Sequence, residues 1–174
     1  MPPPAPLLIA FGANLDPLRH LTGGLRRLHQ QMGVEAVSRV WRTRPLGPPQ
    51  PDYLNGAALC RPPRADPVAV KGWLRRIEAE EQRLRGGDRY GPRTLDLDLV
   101  IWGHCALDGP ELRLPDPEIA HRAFLAVPLA ELAGAFVPPG WEESLARAAA
   151  RFHPLPEGMV VDEAATAQLR AMIA

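Results

Sequence analysis

Apolar positions fall into short runs and helical stripes, separated by breaks rich in proline and glycine. Residues 7–11 form an unbroken apolar run ending at Gly12 and read as a buried strand. Asp16-Pro17 predicts a helix start, with an N-cap oxygen followed by proline at the first helical position. Leu18, Leu21, Leu25, Leu28 and Met32 then recur at helical steps, and Gly33 can close the helix. Residues 34–43, rich in β-branched and aromatic side chains, predict a second strand. Prolines at 45, 48, 49 and 51 make the next stretch a stiff loop, and residues 53–60 predict a third strand. Asp66-Pro67 repeats the helix-start signal. Val70, Trp73, Leu74, Ile77 and Leu84 mark its apolar stripe, ending at Gly86-Gly87. Residues 94–102 give the clearest strand: Leu95, Leu97, Leu99 and Ile101 point one way, and Thr94, Asp96, Asp98 and Val100 the other. Helical patterns follow near 120–132, 141–152 and 163–173.

This order predicts an α+β fold, a ferredoxin-like βαββαβ sandwich: an antiparallel sheet with helices on one face, plus C-terminal helical additions. Residues 1–174 read as a single domain. The fold hosts many unrelated activities, so function has to be read from particular residues.

A formal net charge of zero removes the overall basic footprint expected for nucleic acid or an anionic membrane. No apolar run approaches bilayer length, and the proline-rich N-terminus lacks the regions of a signal peptide. The expectation is a cytoplasmic protein without nucleic-acid or membrane partners. Cys60 and Cys105 lack metal-site spacing and read as small buried thiols. Lys71 is the only lysine, so phosphate would be met by guanidinium groups, which grip it bidentately.

The densest chemistry lies between Arg83 and Asp98. Asp96 and Asp98 share one strand face, about 6–7 Å apart at their backbones. Such a pair alone reads as a solvated face, and flanking arginines as weak surface pairs. Here the opposite face is wholly apolar, so the strand is well packed and two uncompensated acids would repel. Magnesium suits the pair, because it takes hard oxygen ligands and leaves positions open to phosphate. Carboxylates for metal with arginines for phosphate oxygens are the equipment of phosphoryl-type transfer. No Walker-type or protein-kinase glycine loop is present. A ferredoxin-like nucleic-acid module would need aromatics where this strand carries acids.

The run Arg89-Tyr90-Gly91-Pro92-Arg93-Thr94-Leu95-Asp96-Leu97-Asp98 resembles the signature of 6-hydroxymethyl-7,8-dihydropterin pyrophosphokinases. Three further segments resemble the same family in the same order: residues 9–15; residues 42–47 with 52–55; and residues 122–129. The resemblance covers about residues 7–139 and leaves 140–174 as an extension. It implies transfer of diphosphate from ATP to the pterin hydroxymethyl, with two Mg²⁺ ions on Asp96 and Asp98. It further implies Arg83 and Arg93 on the transferring group, Arg85 and Arg122 on ATP phosphates, and Glu78 and Tyr90 at the nucleotide. Tyr53 and Phe124 would stack on the pterin, while Asn55 and the backbone around Thr43 and Leu46 would meet its edge. Ordinary core packing would also explain Phe124, whereas Asn55 inside an apolar strand needs partners. Tyr90 stands where the family has tryptophan, and Asp116 where it has a phosphate-contacting histidine. A carboxylate at 116 repels phosphate, which keeps a second reading open: a drifted relative with altered or lost activity. The expected assembly is a monomer with no obligate protein partner.

Overall fold

The computed structural model describes residues 5–87 and 89–174. In chain order the elements are β1 (Leu7–Ala13), α1 (Pro17–Met32), β2 (Val34–Val37), β3 (Trp41–Thr43), β4 (Tyr53–Cys60), α2 (Pro67–Glu80) and β5 (Asp96–Trp102). They continue with β6 (Leu107–Asp108), β7 (Arg113–Leu114), a 3-10 turn (Pro117–Ala120), α3 (Ala123–Ala133), α4 (Leu145–Ala150), β8 (Val160–Val161) and α5 (Glu163–Met172). The main sheet runs β5-β1-β4-β3-β8, with β2 also paired to β4, and every pairing is antiparallel. This is the α+β, ferredoxin-like topology that the element order implies, with β6 and β7 forming a separate hairpin.

The helices do not lie on one face only. Leu7, Ile9 and Phe11 pack with Leu21, Leu25 and Leu28 of α1, Leu74 of α2 and Leu169 of α5. On the other side Leu8 and Ala10 pack with Ala126 and Leu129 of α3 and Leu145 of α4. The reason lies in β1, which is buried at every position and so needs cover on both sides. Pairing between β1 and β5 shifts at Leu8/Ile9, so that Leu8 faces Ile101 and Ile9 faces Leu99. This bulge moves Ile101 away from the Leu95–Leu97–Leu99 face and into the second core.

The expected second strand is split. Ser38 Oγ accepts from Ala57 N (2.9 Å) and donates to Arg39 O (2.8 Å), satisfying the backbone where β2 ends. The expected caps also differ. Asp66 Oδ1 accepts from Ala69 N at 2.8 Å, whereas Asp16 makes no side-chain cap and instead lies 3.7 Å from Arg19. Helix α2 stops at Glu80, because Gln82 adopts a left-handed φ of 63°; Leu84 leaves the apolar stripe and is 93% exposed. Cys60 is buried, but Cys105 is only half-buried.

The extension is more than added helices. β8 pairs with β3, and α5 packs against α1 and β2. Fully buried Leu169 contributes about 1.5–3 kcal/mol there. Thr166 Oγ1 accepts from Val40 N and donates to Asp162 O, both at 2.8 Å. Thr166→Val keeps the shape but orphans the buried Val40 N–H. It should cost about 1–3 kcal/mol, read as a lower denaturant midpoint. An unchanged midpoint would mean that α5 is not coupled energetically to β3.

Candidate active site

Asp96 opens β5, and its two oxygens accept from different arginines: Arg83 Nη1 at Oδ1 and Arg93 Nη1 at Oδ2, each at 2.8 Å. Behind it Glu78, 3% exposed, accepts from Leu97 N at 2.9 Å and from both Arg83 and Arg85. Burial lifts the Glu78 pKa above the ordinary carboxylate value, opposed by the Leu97 amide and the Arg83 charge. Asp98, two residues on, opens to the cleft. It lies deep enough in it that lost hydration, reinforced by Asp96, Glu78 and Asp116, pushes its pKa up to about 8.

Two cavities meet at these acids. One, about 400 Å³, is lined by Glu78, Arg83 and Arg85 and reaches Lys71, Arg75 and Arg113. The other, about 220 Å³, is lined by Thr43, Leu46, Tyr53, Asn55 and Phe124, with Tyr90 and Arg122 also on its wall. Arg93, Asp96, Asp98 and Asp116 line both. All the residues expected at the site from sequence therefore gather around one cleft. Tyr90 and Arg122, however, sit on the smaller cavity rather than with the other nucleotide-side residues.

The smaller cavity brings an amide, a hydroxyl and aromatic side chains together. Asn55 is buried, and its Nδ2 donates to Thr43 Oγ1 at 2.7 Å. A Cβ on Gly12 would stand 2.4 Å from Asn55 Oδ1, so glycine is what lets the amide sit there. Tyr53 donates its hydroxyl to Gly91 O at 3.1 Å, and burial raises its pKa despite Arg93. Asp116 is tied down: its Oδ1 accepts from Glu118 N at 2.9 Å. Arg122 Nε donates to Glu118 Oε2 at 3.0 Å.

Lys71, Arg75 and Arg113 escaped the sequence reading. Lys71 and Arg75 precede Glu78 by seven and three residues on α2, so helical periodicity from Glu78 was the available signal. The lone lysine thus lines the polar cavity, and guanidinium groups are not its only cations. Asn14, read only as part of a strand motif, is 2% exposed and ties both loops over the cleft. Its Nδ2 donates to Gln50 Oε1 (2.8 Å) and Pro51 O (2.9 Å), and its Oδ1 accepts from Arg93 N (2.8 Å).

Among the described residues no three His, Cys, Asp or Glu side chains form a metal cage. A pair of carboxylates beside a cation-lined cavity still fits magnesium, which completes its shell with water and phosphate oxygens. The crowding that raises the Asp98 pKa is what a divalent cation would relieve.

An antiparallel α+β scaffold with paired acids and arginines between two adjoining cavities defines a two-substrate phosphoryl-transfer enzyme. The family model described as 7,8-dihydro-6-hydroxymethylpterin-pyrophosphokinase (HPPK) matches residues 8–134, and the chain belongs to that family. The 2-amino-4-hydroxy-6-hydroxymethyldihydropteridine pyrophosphokinase of Synechocystis sp. is 38% identical over 135 residues, covering 76% of this chain and 68% of the relative. The protein of the same name from Haemophilus influenzae is 36% identical over 135 residues, covering 75% of this chain and 83% of the relative. The fold matches a Plasmodium falciparum HPPK-DHPS crystal structure with TM-score 0.71 at 8% identity. That match covers 90% of this chain but 46% of the longer one.

The neutral form of Asp98 is the one that the fold favours. The Asp98 contribution to ligand-free stability is therefore greatest below the ordinary value of 3.8 and is lost as pH rises toward about 8. Asp98→Asn should raise the melting temperature of the ligand-free protein at pH 8, with a gain that shrinks toward pH 4. A gain independent of pH would place its origin elsewhere.

Proposed function

We propose that this chain transfers diphosphate from ATP to the hydroxymethyl of 6-hydroxymethyl-7,8-dihydropterin, releasing AMP, as a step of folate biosynthesis. The observation that carries this reading is the junction of a cation-lined cavity with an amide- and aromatic-lined one at Arg93, Asp96, Asp98 and Asp116. Family membership supports the reaction, and the junction supports assigning these residues to it. Residues 1–174 act in this reading as one catalytic unit, with the extension holding β3 beside the pterin cavity.

The polyphosphate lies along Arg83, Arg85 and Arg93, with Lys71, Arg75 and Arg113 toward the nucleoside end. The pterin stacks between Tyr53 and Phe124 and presents its edge to Asn55 and Thr43. Its hydroxyl oxygen bonds the β-phosphorus, and the bond from that phosphorus to the α,β-bridging oxygen breaks. AMP leaves with that oxygen, and the hydroxyl proton is released. Asp96 and Asp98 would hold two Mg²⁺ ions, and bound there the ions would supply neutralisation of phosphate charge. Arg83 and Arg93 grip the transferring oxygens, where charge is greatest in the transition state. Arg122 and Tyr90 cover the pterin side, and the glycines at 86 and 87, which have open space around them, leave the arginine loop free to close.

Pterin-dependent AMP release from Mg-ATP tests the reaction; ADP as product would make this a γ-phosphoryl kinase. Asp96→Ala or Asp98→Ala should lower kcat about 100- to 1,000-fold with the fold intact by circular dichroism. Loss of the fold instead would make these acids structural. Asp116→His should leave kcat/KM for ATP equal or higher. A large fall would show that Asp116 has its own role.

A further inference from the structure

Behind the cleft, α1 and the end of α2 are joined by a polar cluster around buried Glu81 that lines neither substrate cavity. His20 and Glu81 are 5% and 8% exposed, and His20 Nδ1 lies 3.0 Å from Glu81 Oε2. Arg27 Nε donates to Glu81 Oε1 at 3.1 Å, and its Nη1 lies 3.3 Å from Glu80 Oε2. The fold makes room for this carboxylate. A Cβ on Gly23 would stand 2.4 Å from Glu81 Oε1, so glycine there lets the carboxylate lie against α1 as it does. A buried carboxylate paired in this way adds little net stability over apolar packing; what it does fix is geometry.

The geometry fixed here is the departure point of the arginine loop. Glu81 caps α2, and Gln82 follows with a left-handed φ of 63°, a conformation that costs a non-glycine residue. Arg83 comes next: its N–H returns to Glu78 O at 3.1 Å, and its guanidinium meets Asp96. A strained residue persists only where its neighbours over-determine it. The neighbours on one side are the helix end that His20 and Arg27 hold. On the other is the Arg83 contact with Glu78 and Asp96.

We infer that His20, Glu81 and Arg27 form a positioning clamp that fixes the Gln82 turn and thereby seats Arg83 at the reacting phosphate. The inference rests on the proposed role of Arg83. None of the clamp residues touches substrate; each acts through the backbone between 81 and 83.

The test compares kcat and KM for pterin-dependent AMP release in the wild type, His20→Ala, His20→Gln, Arg83→Ala and the His20→Ala/Arg83→Ala double variant. His20→Ala should lower kcat about tenfold with KM for ATP and pterin unchanged. His20→Gln, whose amide can still donate to Glu81, should recover most of the loss. In the Arg83→Ala background His20→Ala should cost nothing further, the non-additivity of two groups acting through one contact. Arg27→Ala, at a half-exposed position, provides the same comparison should His20→Ala not fold. Hydrogen exchange supplies a readout without turnover: the Arg83 amide should exchange faster in His20→Ala while that of Phe11 is unchanged. Equal losses in both backgrounds, an unchanged kcat, or an Arg83 amide as protected as in the wild type would overturn the clamp. A wild type that releases no AMP would overturn the proposed function instead, and the exchange measurement would still decide the clamp.

Discussion

The site depends on the sharing of one carboxylate between two guanidinium groups. Asp96 accepts from Arg83 and Arg93, while Arg83 also reaches the buried Glu78. Each charge therefore compensates another in a region where an unpaired one would be costly. The arrangement suits a substrate that brings both signs. A polyphosphate offers oxygens to the arginines, and the cations that accompany it offer charge to the acids. In the proposed reaction, substrate binding is an exchange of partners among groups already gathered, with little reorganisation left for the chemical step.

What gathers them is the centre of the sheet. β1 pairs with β4 on one side and β5 on the other, placing Gly12 opposite both Asn55 and Asp96. One strand end thus sets the spacing between the Asn55 amide and the Asp96 carboxylate. The residue after β1, Asn14, then holds both covering loops through Gln50, Pro51 and Arg93. Burial on both faces of β1 anchors the junction, and Asn14 ties the covering segments to it.

Local periodicity carried much of this into the sequence. The two-residue repeat of Asp96 and Asp98 places both acids on one face without any knowledge of partners, and the dense arginine run announces their counter-charges. What stayed hidden depended on partners far along the chain. Ile101 changes faces because β5 bulges against Leu8, a contact about ninety residues away along the chain. Leu84 fits a helical stripe, but Gln82 turns the backbone into the left-handed region first. The apolar composition of α3 gave no face to assign until the second side of β1 was seen to need cover. Lys71 and Arg75 look like solvated charges on an amphipathic helix, and only the hairpin β6–β7 across from them turns that surface into a cavity wall.

The acid at position 116 shows why a departure from a family pattern has to be weighed with its spatial neighbours. Taken alone, a carboxylate in place of a phosphate-contacting histidine repels the polyphosphate. In the fold, burial and the Glu118 carboxylate raise the Asp116 pKa, while the Glu118 amide, Arg113 and Lys71 act in the opposite direction. The amide holds the carboxylate oxygen in a turn, and the two cations line the same cavity wall. The local field that ATP meets is the sum of these charges, not the sign of one. A chain that places its only lysine and an arginine beside the unusual acid keeps that wall attractive to phosphate. In the proposed reaction the Lys71 charge on α2 and the Arg113 charge on β7 offset the repulsion between Asp116 and phosphate.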